Sequence, residues 1–310
     1  MPGIWIYSED SAVVRQLLTA GLELKQAMQQ PVNVITLNPE AAPGFANAGA
    51  DRVYVLAGTN PWPESYAAAI TGILEQEQAS VFLAGATMRG KDLAAQVAAG
   101  LNTGLVTDAL SLQYLDGAIE TTRLLYGGLA VCTETAALPA LVTIPPRTFA
   151  EAAAQAGQGE IRTIEVENTD DRVTVSNVCP ILRQGADIAA AGRVVCVGRG
   201  LAKQEDLAMA EQLAAAAGAE IGCTRGIAED YHWLPSDRYI GISGQKIKPE
   251  LYIGMGISGQ VQHVVGIRDA KIIVAIDTNE KAPIFEAADY GIVGDMYEIV
   301  PLLTAALQKK

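Results

Sequence analysis

The sequence predicts an α/β protein of two doubly wound domains, the first carrying an antiparallel extension. Three observations lead there. Short apolar runs alternate with stripes of helical spacing through the first third of the chain, and such alternation builds parallel sheets covered by helices. After Gly104 the pattern gives way to short runs around Asp116-Gly117, a strong hairpin signal. From Gly192 the strand–helix pattern begins again. The 310 residues, half of them apolar, suffice for two such cores.

In order, the run over 4–7 reads as a buried strand, and Val13, Val14, Leu17, Leu18 and Leu22 recur at the helical period. Strands follow over 32–37 and 52–56. Tyr66, Ile70, Ile73 and Leu74 mark a helix after Pro61-Trp62-Pro63. A strand over 80–84 ends in Gly85, and 89–101 is an Ala-rich helix. The loop Gly85-Ala86-Thr87-Met88-Arg89-Gly90-Lys91 opens that helix but lacks the Walker spacing, and it is assigned no ligand. Residues 111–115 and 119–126 read as hairpin strands, and 138–144 and 161–166 as further strands. Pro145-Pro146 interrupts them, and 150–159 reads as a loop. The extension is expected to run to about Ile181. The boundaries are therefore 1–182 for the first domain, 183–192 for a linker and 193–310 for the second domain.

In the second domain the strand over 193–197 is followed at once by Gly198-Arg199-Gly200. A helix through Leu207, Ala210, Leu213, Ala214 and Ala217 stops at Gly218. A short strand over 220–222 leads to Cys223-Thr224-Arg225, and 239–242 leads to Ser243-Gly244. Strands over 251–255 and 271–276, a helix near Pro283 and a helix over 296–307 complete the domain. Several of these strands end in Gly, Ser, Thr or Arg. Open α/β sheets bind their ligands at such strand ends.

Bulk composition narrows the function. Net charge is −13 and the pI is near 4.6, which argues against nucleic acid as a partner. No apolar run reaches membrane-spanning length without a charge or turn, so no membrane insertion is expected. MPGIWIYSED is not a signal peptide, and the cytoplasm is the expected compartment. Cys132, Cys179, Cys196 and Cys223 show no metal spacing and read as reduced, mostly buried thiols. No Ser/His/Asp set or paired carboxylates suggest a catalytic residue.

The most informative stretch is 251–266, LYIGMGISGQVQHVVG. It reads as a buried strand, a glycine turn and a helix capped by Ser258, with His263 in the second helical turn. Gly256 and Gly259 permit tight turning, and N–H groups at a helix start favour an anion. With 271–276, Ala282-Pro283-Ile284-Phe285 and Ala288-Asp289-Tyr290-Gly291, this string resembles the FAD-binding signature of the electron transfer flavoprotein alpha subunit family. The likeness is strongest over 193–301. Thr87-Met88-Arg89-Gly90-Lys91-Asp92-Leu93 and Tyr126-Gly127-Gly128 extend it more weakly into the first half.

The resemblance implies a Rossmann-like second domain holding FAD and a first domain packing on a beta subunit. It implies electron transfer from flavoprotein dehydrogenases, such as acyl-CoA dehydrogenases, to a further acceptor. Three family turns around the flavin correspond to Thr224-Arg225, to Gly241-Ile242-Ser243-Gly244 following Ile240, and to Ser258-Gly259-Gln260-Val261-Gln262-His263. The distal turn corresponds to Gly198-Arg199-Gly200, and the closing acidic position to Asp295 with Met296 beside it. By the same likeness His263 would donate to the N1–C2=O edge of the ring, Arg225 would lie beside the ring and Ser243 near N5. Arg199 would serve the phosphates or the ribitol. Donors at that edge favour negative charge on the reduced ring.

Two departures stand out. Gly254 replaces the family's Ala or Thr, and Asp277 replaces an Asn. An ionised Asp accepts hydrogen bonds and repels phosphate, so Asp277 would accept a ribose hydroxyl or the adenosine half would sit differently. A bifurcating variant with a second flavin remains open, since that flavin would be held mostly by the beta subunit. An NAD-binding oxidoreductase domain is the alternative, although no Gly-x-Gly-x-x-Gly with a following acidic residue is present. A cofactor-free scaffold is the third reading.

Overall fold

The computed structural model describes residues 2–154, 159–167, 173, 175–179 and 187–309. The chain divides into two compact units, Met1–Val178 and Cys179–Lys310. Each is α/β with a parallel sheet.

The first unit opens with β1 (Ile4–Tyr7), α1 (Ser11–Met28), β2 (Val32–Thr36), α2 (Ala42–Asn47) and β3 (Arg52–Ala57). It continues through α3 (Ala67–Gln76), β4 (Val81–Gly85), α4 (Met88–Gly100) and β5 (Leu105–Val106). The hairpin strands β6 (Ser111–Leu115), β7 (Ala118–Leu125) and β8 (Ala130–Ala137) come next, then β9 (Ala140–Ile144) and β10 (Glu160–Glu165). The main sheet has the order β10-β3-β2-β1-β4-β9-β5, with every pairing parallel. β1 is buried at all four positions because helices cover both faces. Its alternation sends Ile4 and Ile6 into one core with Val14 and Leu17, and Trp5 and Tyr7 into the other with Ile70 and Leu93. Asp10 caps α1 by accepting the Ala12 N–H at 2.8 Å.

The antiparallel extension exists but is smaller than the sequence predicts. Among the described residues it comprises only β6, β7 and β8. The runs over 138–144 and 161–166, expected within it, pair in parallel with β4 and β3 in the main sheet. Ala140–Ile144 is buried at every position, the signature of a central parallel strand rather than of a half-exposed hairpin. The third strand, β8, is AVCTETAA; its regular half-buried, exposed alternation is hard to read when all but Val131 and Cys132 are alanine, threonine or glutamate. Ile181, the expected limit of the extension, lies outside the described residues, as do 155–158 of the expected loop.

The second unit contains β11 (Arg193–Val197), α5 (Leu207–Ala217), β12 (Glu220–Cys223), β13 (Leu251–Met255) and α6 (Val261–Ile267). β14 (Ile273–Asp277), α7 (Ile284–Ala287), β15 (Tyr290–Val293) and α8 (Met296–Leu307) follow. The sheet order is β12-β11-β13-β14-β15, all parallel. Strand order therefore reverses between β11 and β13, and the carboxyl ends of these strands flank a switch-point crevice. α5 stops where Gly218 turns left-handed at φ 60°. Of the expected linker, 183–186 lie outside the described residues, whereas Ile188 is 1% exposed within this unit's core. Cys196 and Cys223 are buried as expected, while Cys132 is half-buried and Cys179 exposed. Among the described residues no helix is long and apolar enough to cross a membrane.

Candidate functional site

The crevice is built from backbone before side chains. The turn 198–200 after β11 meets the turn 256–259 after β13. Gly198 donates its N–H to the Met255 carbonyl at 3.1 Å, and Gly200 donates to Gly256 at 3.0 Å. A Cβ on Gly198 would lie 2.2 Å from the Gly256 oxygen, and one on Gly200 2.5 Å from the Gly256 Cα. Gly259, at φ +79°, could carry no Cβ either, because it would fall 2.2 Å from the Ile284 nitrogen. The amides of Ile257, Ser258, Gly259 and Gln260 find no acceptor among the described residues.

These turns open onto a cavity of about 620 Å³. Of the residues singled out in the sequence, Arg199, Thr224, Arg225, Ile240, Ile242, Ser243, Ser258, Gly259, Gln260, Gln262, His263 and Asp277 line it together. The lining also includes Gly200, Gly226, Asp230, Tyr239, Gly256, Ile257 and Thr278. Most of these adjoin a recognised turn, so chain adjacency was the available signal. Asp230 was hidden: it ends a single π-helical turn, Gly226–Asp230, that no periodicity announces.

Four of the expected residues do not line the cavity. Asp295 caps α8, accepting the Tyr297 N–H at 2.8 Å. Met296 is buried behind the turns, its Cε 2.8 Å from where a Gly200 Cβ would stand. Gly241 packs backbone to backbone, since a Cβ on Gly266 would meet its nitrogen at 2.7 Å. Val261 is the first residue of α6 and is 45% exposed.

The anion site also differs in origin from the one expected. Ser258 does not cap the helix. α6 starts at Val261, Gln260 precedes it without a side-chain cap, and the Ser258 carbonyl instead accepts from Ile284 at 3.1 Å. His263 consequently lies in the first turn of α6. With only seven residues, α6 has little dipole to offer; the donors are loop amides and cations.

The two arginines differ. Arg225 has its Nε 2.5 Å from Glu229 Oε2, which raises its pKa, and its side chain is 67% exposed. Arg199 has no carboxylate partner among the described residues. Its stem crosses Gly226, where a Cβ would stand 2.7 Å from Arg199 Cδ. Arg199 is thus the cation whose charge is still available. Ser243 Oγ lies 3.1 Å from the Tyr239 hydroxyl. Asp277 Oδ1 accepts the Asn279 N–H at 2.9 Å, which leaves its second oxygen for a ligand donor.

His263 is placed at the crevice but not as a donor into it. It is 7% exposed. Nδ1 lies 3.0 Å from the Ile240 carbonyl and Nε2 2.7 Å from the Tyr252 hydroxyl. Burial pulls its pKa down to about 4, only partly offset by the Ile240 hydrogen bond. The ring is neutral at pH 7, and both its nitrogens are engaged inside the protein.

Glycine turns that admit a ligand backbone-close, unsatisfied amides and an unpaired guanidinium suit a diphosphate. Asp277 and Thr278 at the end of β14 suit ribose hydroxyls. The volume is in the range of small-molecule sites. FAD therefore fits the residues present.

Comparison with known proteins agrees. Residues 187–268 match the electron transfer flavoprotein FAD-binding domain, and residues 5–169 match the electron transfer flavoprotein domain. YdiR of Escherichia coli (strain K12) is 38% identical over 320 residues, covering 99% of this chain and 98% of that protein. Protein FixB of Salmonella typhimurium (strain LT2) is 37% identical, and protein FixB of Escherichia coli O6:K15:H31 is 38% identical, each over 311 residues with 99% and 98% covered. The chain belongs to the electron transfer flavoprotein family, as an alpha-type subunit of the FixB and YdiR kind with an FAD-binding domain.

Proposed function

We propose that this chain holds FAD in the second unit's crevice, takes electrons from flavoprotein dehydrogenases and passes them to a further acceptor. It would do so in the cytoplasm, in a heterodimer with a beta subunit. The observation that carries this is the crevice at the β11/β13 switch point, where glycine turns and the unneutralised Arg199 face one cavity.

When bound, the flavin supplies the electron-carrying chemistry. The protein's task is to bind and orient. The turn 198–200 with Arg199 would hold the diphosphate, and the loop amides of 257–260 would share that negative charge. Asp277 would accept from a ribose hydroxyl. Thr224, Ser243, Ile242 and Gln262 would border the ring, with Arg225 at its solvent side. Because Arg225 is held by Glu229, its field at the ring is weaker than that of a lone guanidinium. His263 would pack against the ring region as a neutral imidazole. No side-chain acid–base pair is needed for this work.

The test is to purify the chain with a candidate beta subunit, measure flavin absorbance and follow its bleaching by a reduced acyl-CoA dehydrogenase. Flavin that is reduced by the dehydrogenase supports the proposal. A colourless assembly that binds NADH would contradict it. Counting flavins distinguishes the variants: one per heterodimer for the simple carrier, two for the bifurcating kind.

A further inference from the structure

Behind the crevice runs a buried hydrogen-bonded chain that flavin binding alone does not require. Tyr252, on β13, is wholly buried, and its hydroxyl lies 2.7 Å from His263 Nε2. The opposite ring nitrogen, Nδ1, lies 3.0 Å from the Ile240 carbonyl. A carbonyl only accepts, so Nδ1 carries the proton and Nε2 is the lone-pair nitrogen. The Tyr252 hydroxyl must then donate to Nε2. The Cys196 thiol on β11 lies beside that hydroxyl.

The tyrosine reaches this position because of its neighbour two residues on. Residues 252 and 254 project from the same face of β13. A Cβ on Gly254 would stand 2.9 Å from Tyr252 Cε1 and 3.0 Å from its hydroxyl oxygen. The methyl missing at Gly254 is the space into which the Tyr252 ring leans.

We infer that Tyr252, admitted by Gly254, is a positioning residue that, with the Ile240 carbonyl on the opposite nitrogen, holds His263 as the neutral Nδ1–H tautomer, so that His263 offers the crevice a C–H edge and no N–H donor. The consequence for a bound flavin rests on the proposed function; the tautomer does not. The titratable groups beside the ring inside the fold are Tyr252 on β13 and, beyond it, Cys196 on β11 and Cys223 on β12, while Arg199, Arg225, Asp230 and Asp277 line the same cavity as His263. Tyr252, Cys196 and Cys223 are pushed upward by burial and stay uncharged at neutral pH. No charged group contributes to the depression of the His263 pKa; burial does.

The experiment uses the full chain labelled with ¹⁵N-histidine, with and without FAD. It has only two histidines, so the His232→Gln variant assigns both rings. Without FAD, His263 should show a protonated Nδ1, an unprotonated Nε2 and no titration above pH 5. In Tyr252→Phe, which removes the donor, and in Gly254→Ala, which crowds the ring away, the apparent pKa should rise by about one unit. Both variants, loaded with FAD, should shift the flavin potential upward, because Nε2 can then acquire a proton. An Nε2–H tautomer in the native chain, or titration unchanged in whichever variants fold, would overturn the inference. Absence of FAD binding would instead sink the proposed function, and the FAD-free spectra would still decide the role of Tyr252.

Discussion

The two units share a doubly wound topology yet treat their switch points in opposite ways. In the first unit, strand order reverses between β1 and β4. The loops there close on each other: a Cβ on Gly85 would stand 2.7 Å from Ser8 Oγ and 2.8 Å from Val13 Cγ1. Thr87 accepts the Gly90 N–H at 2.9 Å, and Arg89 lies 4.3 Å over the Trp62 ring and 3.6 Å from Glu64. Glu9 and Asp10 add carboxylates that would repel an anion. In the second unit the turns 198–200 and 256–259 approach backbone to backbone, and among the described residues the amides of 257–260 find no acceptor and Arg199 no carboxylate. Topology thus supplies a place for a ligand. Which atoms fill that place decides whether a site exists.

The sharpest way to break this contrast is a methyl group in each unit. Gly259→Ala places a Cβ against Ile284 at a left-handed φ. The strain and displacement, about 3 kcal/mol, should weaken FAD binding roughly 100-fold, read by fluorescence titration. Gly90→Ala, whose Cβ would stand 2.1 Å from the Gly85 oxygen, should destabilise the first unit by a similar amount. The flavin content per folded chain should not change.

Acid should separate the units almost as strongly. Both histidines, His232 and His263, lie in the second. The His263 pKa falls from 6.5 to about 4 on folding. Below 6.5 the unfolded chain binds the proton that the folded chain refuses. The contribution is therefore complete above pH 6.5 and is lost as pH falls towards 4, amounting to about 3 kcal/mol at most. Hydrogen exchange measured from pH 7 to 4 should show second-unit protection falling more steeply than in His263→Gln.

Arg199→Ala should cost about 1.5–3 kcal/mol of FAD affinity, roughly 10- to 100-fold. Arg225→Ala should cost less than about 5-fold, because Glu229 already occupies that guanidinium. Equal losses would show that the salt bridge opens on binding. Least of all, Asp277→Asn should bind FAD at least as tightly as the native chain, within about 3-fold. Loss of FAD there would show that the carboxylate itself is required.

Much of this contrast is legible in the chain. Fully apolar strands such as Ile4–Tyr7 and Val81–Gly85 announce a parallel sheet, because both their faces must be covered. The glycine turns announce the crevice, because close backbone approach excludes a Cβ. What stays hidden depends on partners far along the chain. The run over 138–144 looks like the hairpin strands before it until β4 is seen beside it. His263 looks like a free donor until Tyr252 and the Ile240 carbonyl, 11 and 23 residues away, close on its nitrogens. Asp295 entered through the family resemblance alone, and its place as the cap of α8 shows only once the helix start is seen.

The most direct measurement is a crystal structure of the FAD-loaded assembly. The diphosphate should lie between Arg199 and the amides of 257–260, with the isoalloxazine beside Thr224, Ser243 and Gln262. FAD bound elsewhere while that cavity holds only solvent would contradict the account.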